Sequence, residues 1–230
     1  MDATDYAKQV GVEVQRPLVR EAQTSLWEVL EEAKKRSLPA TPTALNQLYL
    51  VKVPKLSADG SCSLQGELEP TPYDLGAALG GRTTRTSMCL LVLDELLEHV
   101  ANRTGLEWVG VYQAREVGGG RALVKVGYSG KPSRAEFPLT EAFAKLSNNV
   151  AVARSGKARV IQDVKAHVGA GGAYYECDQD IQSEACLPLF DAKGAVVGIL
   201  DAESAQKNGF TGERLAMLVV LATEVASHLP

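Results

Sequence analysis

Residues 183–204 read SEACLPLFDAKGAVVGILDAES and decide the fold. Two apolar runs of strand length flank a short polar turn that ends in Gly194, a pattern typical of a β-hairpin. Carboxylates lie near the strand ends, at Glu184 in the first strand and at Asp201 and Glu203 in the second. If the hairpin belongs to a sheet that faces a cavity, these three carboxylates converge on one pocket.

Length and composition limit the class of protein. The chain has 230 residues, of which 45% are hydrophobic, and a formal net charge of -4. It is long enough for one domain with an extension or for two small domains. The acidic balance, without a basic stripe, argues against nucleic acid as a partner. The sequence shows no secretory signal and no apolar run of membrane-spanning length, so we expect a cytoplasmic protein without a membrane partner.

The four cysteines, Cys62, Cys89, Cys177 and Cys186, are widely spaced and form no C-x-x-C pair. In a reducing cytoplasm this spacing predicts no disulfide framework, and the three scattered histidines complete no metal site. Cys89 and Cys186 lie in apolar patterns and are predicted to be small buried hydrophobes. Cys177 precedes the hairpin in a polar segment, so we expect it to be the cysteine with a chemical role.

No cofactor is expected, because glycine-rich residues 76–82 lack the lysine of a phosphate loop.

Residues 1–84 differ in composition and hydrophobic periodicity from the rest of the chain. Pro17 opens a predicted amphipathic helix that ends at Pro39. Residues 48–53 are predicted to form a strand, and residues 57–81 a long loop, because they are rich in Gly, Pro, Ser and Asp.

Residues 85–230 show the mixed periodicity of an α+β domain. The predicted elements are a helix over 85–103, a strand pair at 108–112 and 122–128, a helix over 141–146, a strand at 157–161, a loop over 167–175, the hairpin, and a final helix with Thr211 as its N-cap. We expect the helices to pack on one face of an antiparallel sheet and a ligand cavity to lie on the other. The first of these helices is apolar almost all round, so it must be covered on more than one side. Either a homodimer contact or the N-terminal helix of the same chain would cover it.

Several short motifs occur in an order and at spacings typical of one family. They are residues 108–112, 160–164, Cys177 with Asp178, Ser183 with Glu184, 187–189, 197–204, and Phe210 with Thr211. Together they resemble the GAF domains of the free methionine-R-sulfoxide reductases, which reduce the free amino acid with cysteine thiols. The resemblance covers residues 85–229 and implies a GAF domain at 85–230 that follows an N-terminal extension at 1–84.

The resemblance also implies a pocket. Trp108 and Tyr112 would form an aromatic wall around the methyl and sulfoxide end of the substrate. Glu184, Asp201 and Glu203 would hold its ammonium group, with Glu203 replacing an aspartate. The chemistry of these residues is consistent with that role, because clustered carboxylates repel each other and a bound cation relieves the repulsion. Aromatic faces beside them suit a cationic or methyl-sulfur ligand.

In the free methionine-R-sulfoxide reductases, two more cysteines lie upstream of the position that Cys177 holds here. Here those positions hold other residues, namely Ser133 or Arg134 for the first, and Ala144 or Asn149 for the second. Reduction by Cys177 would need a second thiol within disulfide reach. Cys186 and Cys89 are candidates, and Cys62, in the loop of the N-terminal segment, is the more reachable one.

Two functions follow as hypotheses. In the first, the domain keeps a pocket for a small amine or amino acid but has lost catalysis, and acts as a sensor or partner-binding subunit. In the second, it is an active reductase of free L-methionine-R-sulfoxide in which Cys177 is the candidate nucleophile and thioredoxin is a candidate partner. The missing upstream thiols favour the first hypothesis, and the retained acids, aromatic residues and Cys177 favour the second.

Overall fold

The computed structural model describes residues 1–36, 38, 41–57, 62 and 67–230. Pro39, predicted to end the first helix, and parts of the predicted loop at 57–81 lie outside the described residues. The helices are α1 (Ala3–Val10), α2 (Arg16–Ala33), α3 (Pro42–Gln47), α4 (Leu75–Ala78), α5 (Thr84–Thr104), α6 (Glu141–Ala144), α7 (Asn148–Ser155), α8 (Val164–Gly169) and α9 (Gly212–Val225). The strands are β1 (Leu50–Val51), β2 (Tyr73–Asp74), β3 (Trp108–Val117), β4 (Gly120–Gly130), β5 (Glu136–Pro138), β6 (Arg159–Ile161), β7 (Ser183–Phe190) and β8 (Val196–Ser204).

One six-stranded antiparallel sheet organises the molecule. Its strand order is β5-β4-β3-β8-β7-β6. The predicted hairpins β3–β4 and β7–β8 are confirmed, and the second turns at Gly194, whose φ of 80° suits glycine. The mixed helices and antiparallel strands confirm the predicted α+β class.

The two faces of the sheet carry different layers, because alternate side chains of a strand point to opposite faces. Val109, Val111, Leu187 and Leu200 join the large buried cluster that contains the apolar residues of α2, α5 and α9. The opposite face contributes to a smaller, aromatic-rich cluster that includes residues of α7. This second layer encloses the candidate site.

The N-terminal helices pack onto the domain. Leu26 and Leu30 of α2 are buried in the same cluster as the residues of α9, and α2 contacts both α5 and α9. The hydroxyl of Tyr6 donates a 2.7 Å hydrogen bond to the backbone oxygen of Pro188 on β7. Of the two predicted ways to cover α5, the structure shows coverage by the N-terminal helix of the same chain, whereas the homodimer stays a prediction.

The predicted strand at 48–53 is present only as the two residues of β1, Leu50–Val51. Thr41 caps α3, Pro42 occupies its first turn, and only the short β1 follows. Tyr49 lies between them, where its hydroxyl bonds the hydroxyls of Thr86 and Ser87, each at 2.7 Å. A short apolar run does not distinguish a strand from a buried turn, and here the tyrosine side chain is anchored to α5.

Three smaller predictions need correction. The described part of the predicted loop at 57–81 contains β2 and α4. His167 lies in α8 rather than in a loop. Thr211 does occupy the N-cap position of α9, but its side chain makes no capping hydrogen bond. Across the described ranges, each helix is too short or too polar to cross a bilayer.

Candidate functional site

The pairing of β3, β8 and β7 sets the acidic residues in adjacent rows. Trp108 lies opposite Glu203, and Glu203 lies opposite Glu184. The neighbouring row contains Gly110 and Asp201, which pair across β3 and β8. Residues two apart on a strand share a face, so the three carboxylates and the indole project to the same side of the sheet.

One cavity lies over these rows. Its lining residues are Trp108, Tyr112, Ser133, Phe137, Ser147, Asn148, Asn149, Tyr175, Cys177, Glu184, Asp201 and Glu203. The structure therefore brings together all six residues that the sequence marked as candidates, including Cys177. Their roles in binding or catalysis stay predictions.

Burial makes the acidic group unusual. Asp201 and Glu184 are only 3% and 4% exposed. Burial raises the pKa of Asp201 to about 7, although hydrogen bonds with Asn149 and Glu184 oppose the shift. Burial, followed by repulsion from the neighbouring carboxylates, raises the pKa of Glu184 well above its ordinary value, and burial does the same for Glu203. The cluster therefore retains protons near neutral pH until a positive charge enters.

The start of α7 supplies amides to this cluster. Ser147 caps the helix through the backbone of Val150. Asn148 donates a hydrogen bond from Nδ2 to Glu184, and Asn149 donates one of 3.0 Å to Asp201. The remaining oxygens, Oδ1 of Asn148, Asn149 and Asp201, are buried and have no hydrogen-bond partner among the described residues. All three are acceptors, so each of them could accept a hydrogen bond from a ligand.

The aromatic wall is tied to the loop that follows β4. The indole of Trp108 donates a 3.1 Å hydrogen bond to the backbone oxygen of Lys131. The hydroxyl of Tyr112 donates one of 3.0 Å to the backbone oxygen of Arg134. Phe137 packs edge-on against Tyr112, with ring centroids 5.3 Å apart. These contacts fix both aromatic rings through their polar ends.

Lys125 forms hydrogen bonds to the same loop from within the protein interior. It is fully buried, and its Nζ donates to the backbone oxygen and the hydroxyl of Ser133 at 2.6 and 3.0 Å. Its Nζ also lies 4.1 Å from the centroid of the Tyr128 ring. Burial lowers the pKa of Lys125 to about 7, and the charge of Glu203 acts against that shift. A β-bulge opposite the β3 step from Val111 to Tyr112 accompanies this arrangement.

Cys177 is joined to Cys62 by a disulfide, with Cα atoms 5.2 Å apart. The prediction that the four cysteines form no disulfide is therefore wrong. Sequence spacing could not reveal the pair because 115 residues separate its members. Cys186 is buried in β7 as predicted, whereas Cys89 is only partly buried.

The positions of the two upstream family cysteines can be located in the structure. Ser133 and Asn149 line the cavity. Arg134 instead stacks over the rings of Phe137 and Tyr175, with its guanidinium carbon 5.6 and 5.3 Å from their centroids.

Sequence reasoning missed Asn148, Phe137, Tyr175 and Lys125 as site residues. Two adjacent asparagines directly after a capping serine were a usable signal, because polar side chains at a helix start often reach buried groups. Lys125 alternates with apolar neighbours in a strand, which marks a lysine pointing inward. The described residues contain no group of three or more His, Cys, Asp or Glu side chains placed to hold a metal ion.

These features define the class of protein: an α+β domain whose antiparallel sheet separates a helical core from an enclosed polar and aromatic cavity. The family model of the GAF domain matches residues 83–229, and the chain belongs to this family. No curated protein matches the chain in a sequence comparison.

Solved structures show the same fold at low identity. A type II free methionine-R-sulfoxide reductase from Thermoplasma acidophilum is 20% identical, with a TM-score of 0.54 over 63% of this chain and 94% of its own. The GAF domain of a phosphoenolpyruvate-protein phosphotransferase from Acinetobacter is 12% identical, with a TM-score of 0.55 over 89% and 90% of the two chains. A free methionine-R-sulfoxide reductase from Neisseria meningitidis, in complex with its substrate, is 21% identical with a TM-score of 0.48 over 67% and 80%.

Proposed function

We propose that the cavity binds a small molecule carrying an ammonium group, of the amino-acid class. The observation that carries this proposal is the set of three buried acceptor oxygens without a donor, on Asn148, Asn149 and Asp201. A buried polar atom without a partner costs about 1–3 kcal/mol. An ammonium group has three donors and no acceptor, which matches this deficit.

Electrostatics supports the same class of ligand. Burial raises the pKa values of Glu184, Asp201 and Glu203, and repulsion from neighbouring carboxylates adds to the shift for Glu184 and Glu203. A bound cation stabilises the ionised carboxylates, so binding near neutral pH releases protons from the cluster. The aromatic rings of Trp108 and Tyr112 beside the carboxylates favour a cationic or methyl-sulfur group.

Calorimetry with matched ligands tests this proposal. Reduced protein is titrated with L-methionine, L-methionine-R-sulfoxide and the N-acetyl form of each. We expect binding of the free amino acids and loss of binding on acetylation, which removes the positive charge. Repeating the titration in buffers of different ionisation enthalpy measures the released protons. Equal affinity for the acetylated forms would show that the acidic cluster does not recognise an ammonium group.

A second candidate function is favoured by the position of Cys177 on the wall of the same cavity. In this function the chain reduces free L-methionine-R-sulfoxide, the substrate class in the name of the reductase from Thermoplasma acidophilum that shares its fold. The Cys177 thiolate attacks the sulfoxide sulfur, a carboxylic acid of the cluster protonates the sulfoxide oxygen, and the oxygen then moves to the Cys177 sulfur as the transient sulfur–sulfur bond breaks. The sulfoxide becomes the sulfide by gaining two electrons, and Cys177 becomes a sulfenic acid that keeps the oxygen. A dithiol such as thioredoxin then returns Cys177 to the thiol, forming its own disulfide and water.

The raised pKa of Asp201, about 7, suits an acid in this reaction, because an acid with a pKa near the working pH transfers protons most effectively. The test supplies L-methionine-R-sulfoxide with dithiothreitol and, separately, with thioredoxin and its reductase. Methionine should form with both, and Cys177→Ser should abolish it. Binding of the amino acid without methionine in either assay would leave the binding function and reject the reductase.

A further inference from the structure

We propose that Cys62, supplied by the N-terminal segment outside the matched GAF region, is the resolving thiol for Cys177. This inference rests on the second function above, the reduction of a sulfoxide. The disulfide between the two cysteines is then the oxidised state of a two-thiol cycle rather than a structural staple.

The disulfide places Cys62 next to Cys177, which lines the cavity. Antiparallel bridges join Leu56 to Cys62 and Pro54 to Leu68. Beside them, the backbone of Lys55 donates a 2.8 Å hydrogen bond to the backbone oxygen of Glu67. These contacts hold the described part of the N-terminal segment in a narrow antiparallel arrangement, and Cys62 is 2% exposed within it. Backbone pairing with Leu56 therefore holds Cys62 in a buried position where it contacts Cys177.

The Cα separation of 5.2 Å lies within the range of about 4.4–6.8 Å that disulfides span. The other candidates fit less well. Cys186 is fully buried in β7, and burial raises the pKa of its thiol well above the ordinary value. Cys89 lies on α5, which packs on the opposite face of the sheet. Ser133 and Asn149 hold the positions of the upstream family cysteines, so Cys62 supplies from another part of the chain the thiol that they lack.

Reduction of the sulfoxide and formation of the disulfide need no reactant other than the two thiols and the sulfoxide. Attack of Cys177 on the sulfoxide gives the sulfide and a sulfenic acid on Cys177. The thiolate of Cys62 then attacks the Cys177 sulfur, forming the S–S bond while the sulfenic oxygen leaves with a proton as water. Both electrons of the reduction come from the two thiols. An external dithiol of the thioredoxin class restores them by exchange.

A groove of about 840 Å³ gives that reductant access to the bond. Cys177 lines both this groove and the inner cavity. Pro54 and Leu68 of the N-terminal segment form one side of the groove, and Lys131 and Asp178 line it as well. With the disulfide formed, the inner cavity has a free volume of about 20 Å³, enough for about one water molecule.

The test is a single turnover without external reductant. Reduced protein is mixed with excess L-methionine-R-sulfoxide, and methionine, free thiols and dimedone adducts are counted by mass spectrometry. Wild type should yield one methionine per chain, lose two thiols and give a cross-linked Cys62–Cys177 peptide. Cys62→Ser should also yield one methionine but lose one thiol, with dimedone on Cys177. Its thioredoxin-supported turnover should fall by about tenfold or more, because exchange through a disulfide is lost.

Cys89→Ser is the matched control and should behave as wild type in every readout. Cys62→Ala, checked with Cys62→Ser by circular dichroism and thermal unfolding, separates loss of the thiol from loss of structure. Wild-type turnover with thioredoxin in both Cys62 variants would overturn the assignment of Cys62 while leaving the reductase function intact. Absence of methionine in the wild-type single turnover, with amino-acid binding retained, would reject the reductase function and Cys62 together.

Discussion

Asn149 donates a 3.0 Å hydrogen bond to Oδ2 of Asp201, yet Oδ1 of Asn149 and Oδ1 of Asp201 are both buried without a partner among the described residues. The amide thus orients the carboxylate without satisfying it. Such an arrangement is costly in the unliganded protein and favourable once a donor enters. Under the proposed function, the same pair links recognition of an ammonium group to the protonation state of the cavity.

Replacing Asp201 by Asn should weaken binding of a free amino acid. The change removes the negative charge but keeps the size of the side chain, and buried hydrogen bonds to charged groups contribute about 1.5–3 kcal/mol. We expect the Kd measured by calorimetry to rise by about tenfold or more. Glu184→Gln should act in the same direction. Glu116→Gln, an exposed carboxylate on β3, is the control and should leave the Kd unchanged. Unaltered affinity in both cavity variants would contradict the assignment of the ammonium site.

The unliganded protein should lose stability as the pH rises from about 4 to 7. The pKa of Asp201 is about 7 in the folded protein, above its ordinary value of 3.8, so folding favours the protonated carboxyl. Its contribution to the free energy of unfolding is complete below pH 3.8 and is lost as the pH rises through about 7. Glu184 and Glu203 act with the same sign.

Urea unfolding at several pH values and constant ionic strength measures this effect. One titrating group changes the free energy of unfolding by at most about 1.4 kcal/mol per pH unit. Asp201→Asn should flatten the decline below pH 7, whereas Glu116→Gln should not. A wild-type free energy of unfolding that rises over this interval would show that the carboxyl is not protonated in the folded state.

The sheet and the acidic row were predictable because strand alternation and turn residues are local signals. Glu184 and Glu203 are paired across β7 and β8, and a hairpin with a glycine turn brings such positions together. Trp108 is placed beside them by a longer connection, yet the family resemblance marked it. The predicted strand at 48–53 is shorter in the structure, where Tyr49 precedes β1 and its hydroxyl is hydrogen-bonded to residues of α5.

The parts that escaped prediction depend on long-range contacts. Cys62 was named as the more reachable second thiol for Cys177, but their pairing as a disulfide, over a separation of 115 residues, was not predicted. Lys125 and Asn148 are similar, because their partners, Ser133 and Glu184, are reached only in the folded chain. Residue types suggested which chemistry the site contains, whereas the folded chain shows which groups lack partners.

Gly110 makes room for the aromatic wall, and Gly110→Ala should disturb it. A Cβ atom at this position would lie 2.8 Å from Cζ2 of Trp108, so the indole or β3 must move. Overpacking of this kind costs about 1–3 kcal/mol. In a Trp27→Phe background, which leaves Trp108 as the tryptophan of the chain, we expect a shifted emission maximum and weaker amino-acid binding. Gly120→Ala, where a Cβ meets nothing within 4 Å, should preserve both. Equal spectra for the two alanine variants would show that the indole does not lie over Gly110.

Leu26 and Trp27 are neighbours on α2 with opposite environments, which makes them a test of how the N-terminal residues relate to the GAF domain. Leu26 is 1% exposed within the cluster shared with α9, and Trp27 is 63% exposed. Leu26→Ala should lower the free energy of unfolding by about 2–5 kcal/mol. Trp27→Ala, although it removes a larger side chain, should change it by less than about 0.5 kcal/mol. If residues 1–84 were an independent extension, Leu26→Ala would leave the unfolding of residues 85–230 unmoved. A single transition that shifts as a whole, followed by the fluorescence of Trp108 in a Trp27→Phe background, would instead show that α2 completes the core, because the probe and the substitution then lie in different parts of the chain.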